Sequence, residues 1–397
     1  MSTSLDSGSG SAAEPAGTLG EVLWGAVGAC GIDLAMPDGA ATSTVDVAAA
    51  LGLPQARKAV VVLVDGLGWH NLTDRADVAP FLTSAGRLGA LTCAFPSTTA
   101  TNLGYLGTGR AGGSTGLLGY TVRDPRGRLM NMISWNTGAD PLAWQRQPTV
   151  FERLEEADRS AVSVGPWRFA SSPLTRAALR GSEFLPAETL PERVDTALGA
   201  LREVDVDLVY LYWGDVDSTG HHEGWRSGEW ADALAHTDTE LARLARLLPH
   251  GTTMLVTADH GMVDIPHGPS THFPGPARVD VADRPDLAAG VDLVAGEPRA
   301  VHLYCRPGAA EQVREVWADA LGDRARVLSR AEVIDAGLLG PVDPRFTEVI
   351  GDLVVAALGD LAVHDSRTQT AASLTLVGMH GSITPAERTV PLVVLEG

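Results

Sequence analysis

Four short apolar runs, each followed by acidic or imidazole side chains, constrain the fold of this chain more than any other feature. The runs lie at 58–64, 207–213, 252–257 and 373–377. Continuous apolar runs of this length, rich in β-branched residues, are typical of strands that are buried on both faces. We therefore predict four interior strands, each of which ends at a polar cluster.

Segments with helical spacing lie between these runs. Residues 229–248 place apolar side chains on one face and polar side chains on the other, and 191–204 is a second candidate. Residues 18–30 and 45–52 are predicted as shorter helices. Strands that alternate with helices form mostly parallel sheets. We therefore predict an α/β fold with a mostly parallel central sheet flanked by helices.

Length and composition predict the domain organisation. The 397 residues suffice for two or three domains, or for one large domain with an insertion. Residues 1–17 are rich in Ser, Gly and Ala, and we expect them to be disordered. We predict a catalytic domain over 18–397, with a small inserted α+β cap at 296–340. Within this cap, a helical pattern at 309–321 separates two strand-like stretches.

Charge and cysteine usage narrow the class of partner and the compartment. Lys and Arg total 30 and Asp and Glu total 49, so the formal net charge is −19. This acidity favours neither a nucleic acid polymer nor an anionic membrane surface as partner. The sequence shows neither an apolar run long enough for a membrane span nor the pattern of a signal peptide. Three well-separated cysteines suit a reducing compartment, so we expect a cytoplasmic location.

Acidic and imidazole side chains follow all four predicted strands. Taken singly, each has an ordinary structural explanation, such as a turn cap or a loop histidine. The carboxyl ends of parallel strands meet at one edge of a sheet, so we expect these side chains to lie together. Three carboxylates and three imidazoles suffice for two divalent metal ions, and this mixture favours zinc, with manganese or iron as alternatives. The candidate ligands are Asp65, Asp217, His221, Asp259, His260 and His380.

The spacing of these ligands also predicts local structure. Asp217 and His221 are four residues apart, so they can meet on one helical face or around a tight turn at Gly220. Asp259 and His260 are adjacent and cannot share one face of a regular strand. We therefore expect that pair in an irregular loop at the end of a strand.

A hydroxyl-rich segment at 95–109 supplies the candidate nucleophile. Ser97, Thr98 and Thr99 precede residues compatible with a helix, and for Ser97 and Thr98 we predict a helix-capping role. A helix N-terminus also presents N–H groups that suit a phosphate. A hydroxyl group there can be held as an alkoxide beside a divalent metal. The phosphate-binding motif G-x-x-x-x-G-K-[ST] of nucleoside triphosphatases is absent from the sequence.

Five motifs in a fixed order resemble the alkaline phosphatase superfamily, most closely its nucleotide pyrophosphatase/phosphodiesterase branch. They are VVVLVDGLG, FPSTTATN, the Asp-x-x-Gly-His segment that ends at His221, TADHGM and GMHG. The resemblance spans about Lys58 to His380, and it implies a three-layer sandwich like that of alkaline phosphatase. In better-known members a lysine precedes the nucleophile, and Thr98 occupies that position here.

The resemblance implies a role for each candidate residue. Thr99 matches the nucleophile, which becomes a phospho- or nucleotidyl-threonine, and Asn102 matches an asparagine that donates to a phosphate oxygen. One metal would be held by Asp65, Asp259 and His260 and would activate Thr99. The second metal would be held by Asp217, His221 and His380 and would activate the hydrolytic water.

These roles imply a two-metal hydrolase of phosphodiester or pyrophosphate bonds that acts on a small phosphate ester. Two alternatives remain open at this stage. A phosphomonoesterase or phosphonate hydrolase of the same superfamily would use the same core. A non-catalytic, metal-stabilised binding protein would keep the ligands but would not require Thr99. Substrate identity and oligomeric state are not predicted by the sequence.

Overall fold

A seven-stranded central sheet carries most of the core. The computed structural model describes residues 15–37 and 42–396. The spatial order of the strands is β2-β17-β8-β1-β7-β5-β6, and adjacent strands are parallel except where β17 pairs with its two neighbours. Helices flank this sheet, which confirms the predicted α/β fold with a mostly parallel central sheet. The strands, in chain order, are β1 (Lys58–Val64), β2 (Arg87–Thr92), β3 (Thr121–Arg123), β4 (Leu129–Asn131), β5 (Ser160–Gly165), β6 (Glu183–Pro186), β7 (Val206–Trp213), β8 (Thr252–Thr257), β9 (Val263–Asp264), β10 (Arg278–Asp280), β11 (Val291–Glu297), β12 (Ala300–Cys305), β13 (Ala325–Ser329), β14 (Leu353–Ala357), β15 (Ala362–His364), β16 (Gly378–Met379) and β17 (Thr389–Glu396).

The helices range from one turn to five turns in length. The α-helices are α1 (Val22–Ala29), α2 (Thr44–Ala50), α3 (Trp69–Asp74), α4 (Pro80–Ser84), α5 (Thr99–Thr108), α6 (Gly112–Thr115), α7 (Pro141–Trp144), α8 (Val150–Glu156), α9 (Pro173–Ala178), α10 (Leu190–Arg202), α11 (Asp215–Glu223), α12 (Gly228–Leu247), α13 (Pro285–Ala288), α14 (Ala310–Leu321), α15 (Arg330–Asp335), α16 (Ala371–Leu374) and α17 (Pro385–Arg388). Short 3₁₀ turns lie at Leu19–Glu21, Trp167–Phe169, Val281–Asp283, Gly322–Arg324 and Pro344–Val349.

Three of the four predicted interior strands form as expected. β1, β7 and β8 are neighbours at the centre of the sheet, and all side chains of β8 and nearly all of β1 are buried. In register, Val62 of β1 lies between Leu211 of β7 and Val256 of β8. Two buried faces explain why these segments read as continuous apolar runs.

The fourth predicted strand, at 373–377, is wrong. The chain forms α16 there and then the two-residue strand β16, which pairs with β9. The hydroxyl of Thr370 accepts a hydrogen bond from the Ser373 N–H and caps the helix. Residues 371–377 are half-buried or exposed, so no packed sheet faces this run. Local capping therefore prevails over the strand propensity of the run.

A second sheet lies outside the central one. β11, β12, β14 and β13 form a four-stranded antiparallel sheet, and α14 packs on β13. This region has its own apolar core, which includes Trp317 of α14. The predicted cap at 296–340 falls within this region, and its boundaries stay a prediction.

The segment at the start of the described chain bears on the predicted disordered tail. Residues 1–14 of the predicted disordered tail lie outside the described residues. Ala16 donates a hydrogen bond to Ala90 and Gly17 accepts one from Thr92, so the chain runs beside β2 at that point.

Across 15–37 and 42–396, none of the helices combines the length and apolar character needed to cross a membrane.

Candidate active site

The site lies at the carboxyl edge of the three central strands. Asp65 directly follows β1, α11 with Asp217 begins two residues after β7, and Asp259 follows β8 by two residues. The N–H of Asp65 donates to the carbonyl of Trp213 at 2.8 Å, which extends the pairing of β1 and β7 by one residue. The parallel strands therefore bring these carboxylates together, as the sequence predicted.

One ligand group combines Asp65, Asp217 and His260. Nε2 of His260 lies 3.4 Å from Oδ1 of Asp65 and 3.5 Å from Oδ2 of Asp259. Asp259 lies beside this group, and its Oδ1 accepts the N–H of Gly66 at 3.1 Å. Asp259 and His260 occupy an irregular loop after β8, where adjacent side chains can converge.

The second ligand group combines Asp217, His221 and His380. Asp217 and His221 lie one turn apart on α11, and Nε2 of His221 is 3.4 Å from Oδ2 of Asp217. His380, which follows β16, places its Nε2 3.3 Å from Nε2 of His221 and 4.0 Å from Oδ1 of Asp217. Asp217 belongs to both groups, so the two candidate centres are contiguous.

Backbone carbonyls orient all three imidazole rings. Nδ1 of His221 lies 2.7 Å from the carbonyl of Gly378, and Nδ1 of His380 lies 2.8 Å from that of Ser97. Nδ1 of His260 is 3.1 Å from the carbonyl of Gly261. A carbonyl oxygen can only accept, so each Nδ1 donates and each Nε2 faces the carboxylates. In metal sites, a hydrogen bond from one ring nitrogen to a carbonyl or carboxylate holds the imidazole in this orientation and leaves the other nitrogen for the metal.

The close packing of carboxylates and imidazoles in the cluster shifts the pKa values of its members. Burial raises the pKa of Asp217, and burial together with the charge of Asp65 holds the pKa of Asp259 well above its usual range. Burial opposes a charge on His260, but the carboxylates of Asp259, Asp65 and Asp217 outweigh it and raise its pKa to about 10. Burial and the neighbouring imidazoles hold the pKa of His380 well below its usual range.

The residues present fit divalent metal ions. Oδ1 of Asp217 and Oδ2 of Asp259 are buried and have no hydrogen-bond partner among the described residues. The Nε2 atoms of His221 and His380 face each other at 3.3 Å although both rings donate through Nδ1. A shared cation satisfies both sets of atoms, because carboxylate oxygens and imidazole nitrogens are ligands of zinc.

Thr99 lies at the edge of this cluster, on the first residue of α5. Its Oγ1 is 3.3 Å from Nε2 of His260 and 3.5 Å from Oδ1 of Asp65. Thr99 is partly exposed, whereas its neighbours Thr98 and Ala100 are buried. Thr98 occupies the N-cap position without a capping side-chain bond, and Ser97 instead donates to the carbonyl of Ser382. Thr98 is thus the N-cap residue, as predicted for Ser97 or Thr98, but neither hydroxyl makes a capping hydrogen bond within the described part of the chain.

Asn102 is placed differently from the other predicted site residues. Its side chain is fully buried, and its Oδ1 accepts the N–H of Ala94 at 2.7 Å. Its Nδ2 faces the carbonyls of Ala94, Pro96 and Thr98 at 3.3–3.5 Å. The amide thus braces the loop that presents Thr99, and its donor is directed at the backbone. The predicted contact with a phosphate oxygen stays a prediction.

Other polar residues near the motifs lie outside the cluster. Asp215 and His222 are exposed on α11, and Nδ1 of His222 bonds the carbonyl of Ser218. His267 and His272 are exposed in a loop, and His272 pairs with Asp360. Their positions agree with the interpretation that Asp217 and His221, rather than Asp215 and His222, face the cluster. His267 and His272 are loop histidines, as expected.

Tyr212 belongs to the site and was missed by the sequence reasoning. Its hydroxyl donates to Oδ2 of Asp65 at 2.6 Å. Burial and the charge of Asp65 hold the pKa of Tyr212 well above its usual range, so it remains a donor. A buried tyrosine hydroxyl usually has a partner, so the two tyrosines of the run 207–213 were the available signal, although the run does not show which of them contacts Asp65.

Two cavities meet at the cluster. The first, the apolar cavity, has a volume of about 300 Å³ and reaches Thr99. The second has a volume of about 580 Å³ and has a more polar wall. Both are bounded by Thr98, Tyr120, His221 and His380. The apolar side chains that line the first cavity include Leu103, Ile133, Phe169, Leu174, Leu179 and Phe184.

Comparison with known proteins agrees with this geometry. Residues 59–383 match the family of type I phosphodiesterases / nucleotide pyrophosphatases. A curated relative, human ectonucleotide pyrophosphatase/phosphodiesterase family member 7, is 32% identical over 77 residues. That match covers 18% of this chain and 17% of the human protein, so the chain spans less than a fifth of this relative's length.

Solved structures share the fold over most of their length. Murine ectonucleotide pyrophosphatase / phosphodiesterase 5 superposes with a TM-score of 0.67 at 18% identity, covering 86% of this chain and 88% of the murine chain. An inactive threonine-to-alanine variant of that protein is known in complex with AMP. Phosphonoacetate hydrolase from Sinorhizobium meliloti 1021, in complex with phosphonoformate, gives a TM-score of 0.65 at 22% identity and covers 86% and 91% of the two chains.

The family match spans most of the chain and contains all the residues of the cluster. This chain is therefore a member of the type I phosphodiesterase / nucleotide pyrophosphatase family.

Proposed function

We propose that the protein hydrolyses phosphodiester or pyrophosphate bonds of small phosphate esters through a covalent intermediate on Thr99. One observation carries the proposal. The partly exposed hydroxyl of Thr99, at the N-terminus of α5, faces Asp65 and His260 and adjoins a cluster of carboxylates and imidazoles that can bind divalent cations. That combination supplies a nucleophile, a carboxylate acceptor for its proton and a site for a phosphate.

In the first step, Oγ1 of Thr99 forms a bond to phosphorus and the bond to the leaving-group oxygen breaks. The Thr99 proton is directed at the carboxylate oxygen Oδ1 of Asp65, 3.5 Å from Oγ1, because Nε2 of His260 would be a metal ligand without a free lone pair. The N–H groups of the first turn of α5 have no partners within the helix. They face the phosphate oxygens, which gain charge as the bond forms.

In the second step, a water molecule forms a bond to phosphorus and releases Thr99. The residues proposed to hold two divalent ions are Asp65, Asp259 and His260 for one, and Asp217, His221 and His380 for the other, with Thr99 beside the first. Such ions, zinc or manganese, would lower the pKa of a bound hydroxyl or water and neutralise phosphate charge. The carbonyl contacts of the three Nδ1 atoms keep the imidazoles in the ligand orientation.

Two observations favour a diester over a monoester or a phosphonate. The two cavities adjoin at His221 and His380, beside the proposed phosphate position, and a diester has two substituents to place in them. Among the described residues that line these cavities there is no Lys or Arg. A monoester dianion or the carboxylate of a phosphonate would therefore find no side-chain cation apart from the metals.

Substrate, partners and location remain proposals at this level. Structural neighbours bind AMP and phosphonoformate, which supports a small phosphorus-containing substrate. We propose no nucleic acid polymer as partner, and the cytoplasmic location stays a prediction.

Metal content and hydrolysis of bis(p-nitrophenyl) phosphate test this function. We expect about two metal ions per chain and diester cleavage that a chelator abolishes and zinc or manganese restores. Fast cleavage of p-nitrophenyl phosphate with negligible diester cleavage would instead support the phosphomonoesterase. Two metals without cleavage of diesters, monoesters or phosphonoacetate would support a non-catalytic binding protein.

A further inference from the structure

The wall of the second cavity includes Glu297, a buried carboxyl group with one oxygen that lacks a hydrogen-bond partner among the described residues. Glu297, the last residue of β11, is 5% exposed. Its Oε2 accepts the N–H of Tyr120 at 2.8 Å, whereas its Oε1 is buried and has no hydrogen-bond partner within 15–37 and 42–396. Burial raises the pKa of this carboxyl to about 8, which reflects how little hydration it retains. Buried polar atoms normally have a hydrogen-bond partner, so the unpaired Oε1 indicates that a ligand can donate to it.

The carboxyl group is held in place by two glycines. A Cβ on Gly381 would lie 2.4 Å from Cγ of Glu297, and a Cβ on Gly119 would lie 3.0 Å from its Oε2. Both glycines have φ values near the edge of the left-handed region, 135° and 134°, where other residues are strained. Gly381 directly follows His380, so the position of Glu297 is tied to the ligand loop.

The cavity around Glu297 continues from the proposed phosphate site. We call it the Glu297 cavity; it has a volume of about 580 Å³ and meets the apolar cavity at His221 and His380. Its wall includes Asn131, Asn136 and Gln369, whose amides can donate or accept. Since Lys and Arg are missing from its described lining, the cavity offers acceptors but no positive side chain to a substituent.

We infer that the Glu297 cavity binds one substituent of the phosphate ester, that this substituent bears O–H or N–H donors without negative charge, and that Oε1 of Glu297 accepts from it. Amino alcohols and polyols have this chemistry. The inference rests on the proposed function, because it assumes that a phosphorus atom lies beside Thr99. It narrows the substrate class, since a second phosphate, as in a pyrophosphate, would meet a carboxyl group and no cation.

Three diesters with one leaving group test the inference. The probes are p-nitrophenyl 2-aminoethyl phosphate, p-nitrophenyl ethyl phosphate and p-nitrophenyl 2-carboxyethyl phosphate, and all release p-nitrophenolate. We expect the metal-loaded wild-type protein to show its highest kcat/KM with the aminoethyl ester and its lowest with the carboxyethyl ester. The variant Glu297→Gln is expected to lose about tenfold in kcat/KM for the aminoethyl ester, because a hydrogen bond from its charged ammonium group to Glu297 has about this effect. Its kcat/KM for the ethyl ester should stay within about twofold, because ethyl offers no donor to Oε1.

A matched control separates recognition from folding. Asp238 of α12 is a buried carboxyl group outside both cavities, and it accepts the N–H groups of Phe81 and Leu82. Asp238→Asn removes a buried carboxylate charge without touching the cavities, so the preference among the probes should be unchanged. Thermal unfolding of both variants shows whether either change alters the fold.

The possible outcomes are separable. An equal loss on the aminoethyl and ethyl esters in Glu297→Gln, or a wild-type preference for the carboxyethyl ester, would overturn the inference. If wild-type protein cleaves none of the probes, the proposed function fails, and the cavity is tested by binding alone. Calorimetry with metal-loaded Thr99→Ala protein should then show tighter binding of phosphoethanolamine than of ethyl phosphate, and a preference that disappears with Glu297→Gln. Equal binding of the two would overturn the inference independently of turnover.

Discussion

The hydroxyl of Tyr212 donates a 2.6 Å hydrogen bond to Oδ2 of Asp65, so a residue of β7 orients the carboxylate that ends β1. The two strands are paired in parallel, with Leu63 opposite Tyr212, which places the phenol beside the end of its neighbour. Only Oδ1 of Asp65 then remains directed at His260 and Thr99. The hydrogen bond thus determines which oxygen faces the proposed metal site.

We expect Tyr212→Phe to weaken metal binding by roughly tenfold or more, because loss of an outer hydrogen bond to a ligand typically costs 10- to 100-fold. Metal competition with a chromogenic chelator measures the effect. Tyr210→Phe is the matched control on the same strand, because the Tyr210 hydroxyl is buried and, in the part of the chain that the structure describes, has no hydrogen-bond partner. An equal change in both variants would contradict the role of the Asp65 contact.

Replacement of Thr99 should separate chemistry from metal binding. Thr99→Ala removes the proposed nucleophile, and we expect turnover of bis(p-nitrophenyl) phosphate to fall by roughly 10³-fold or more. Metal content should stay near the wild-type value, because the six carboxylate and imidazole ligands remain. Thr99→Ser retains a hydroxyl and should keep measurable turnover. Wild-type turnover in Thr99→Ala would refute the covalent role.

Metal binding is expected to release protons and to tighten as the pH rises. Without metal, His260 has a pKa of about 10, raised by its carboxylate neighbours against the effect of burial. Its protonation therefore stabilises the metal-free fold fully below about pH 6.5, and this contribution is lost as the pH rises through about 10. A metal needs the neutral imidazole, so its affinity changes in the opposite direction.

Calorimetric titration of the metal-free protein with zinc, in two buffers of different ionisation enthalpy near pH 7, counts the protons released. We expect at least one proton per chain, and weaker binding at pH 6 than at pH 8. Binding without proton release would show that His260 is already neutral in the metal-free protein.

The fold and most of the cluster could be predicted because both depend on patterns that are local in sequence. Buried parallel strands require continuous apolar runs, and β1, β7 and β8 each contain one. Parallel pairing then brings their carboxyl ends together without further information. The run at 373–377 has a similar composition but lies at the surface, so composition alone could not separate it from a strand.

Contacts between residues distant in sequence could not be predicted in the same way. Asn102 has the spacing expected of a phosphate donor, yet the carbonyls of the loop before α5 engage its amide. Glu297 lies in the second sheet, and only the tertiary fold places it beside Gly381. No local pattern reports such pairings, because they depend on how separate elements pack.

A buried ion pair between Arg299 and Glu387 braces the loop after His380, and its rupture should affect both stability and metal binding. Both side chains are fully buried, with N–O distances of 2.7 and 3.0 Å. Oε1 of Glu387 also accepts the N–H of Ser382, and the backbone carbonyl of Glu387 accepts the N–H of Gly261. The ion pair therefore connects the loop that follows His380 with the loop that contains His260. Removal of one partner leaves a buried charge unpaired, which costs about 3–5 kcal/mol.

We therefore expect Arg299→Met to lower the free energy of unfolding in urea by about 3–5 kcal/mol and to weaken metal binding. Arg284→Met is the control, because Arg284 pairs with Asp286 at the surface, where ion pairs contribute about 1 kcal/mol or less. If Arg299→Met proves destabilising but binds metal with wild-type affinity, the ion pair stabilises the fold without positioning the ligands. Equal stability of the two variants would show that Glu387 is neutral or finds another partner when Arg299 is absent.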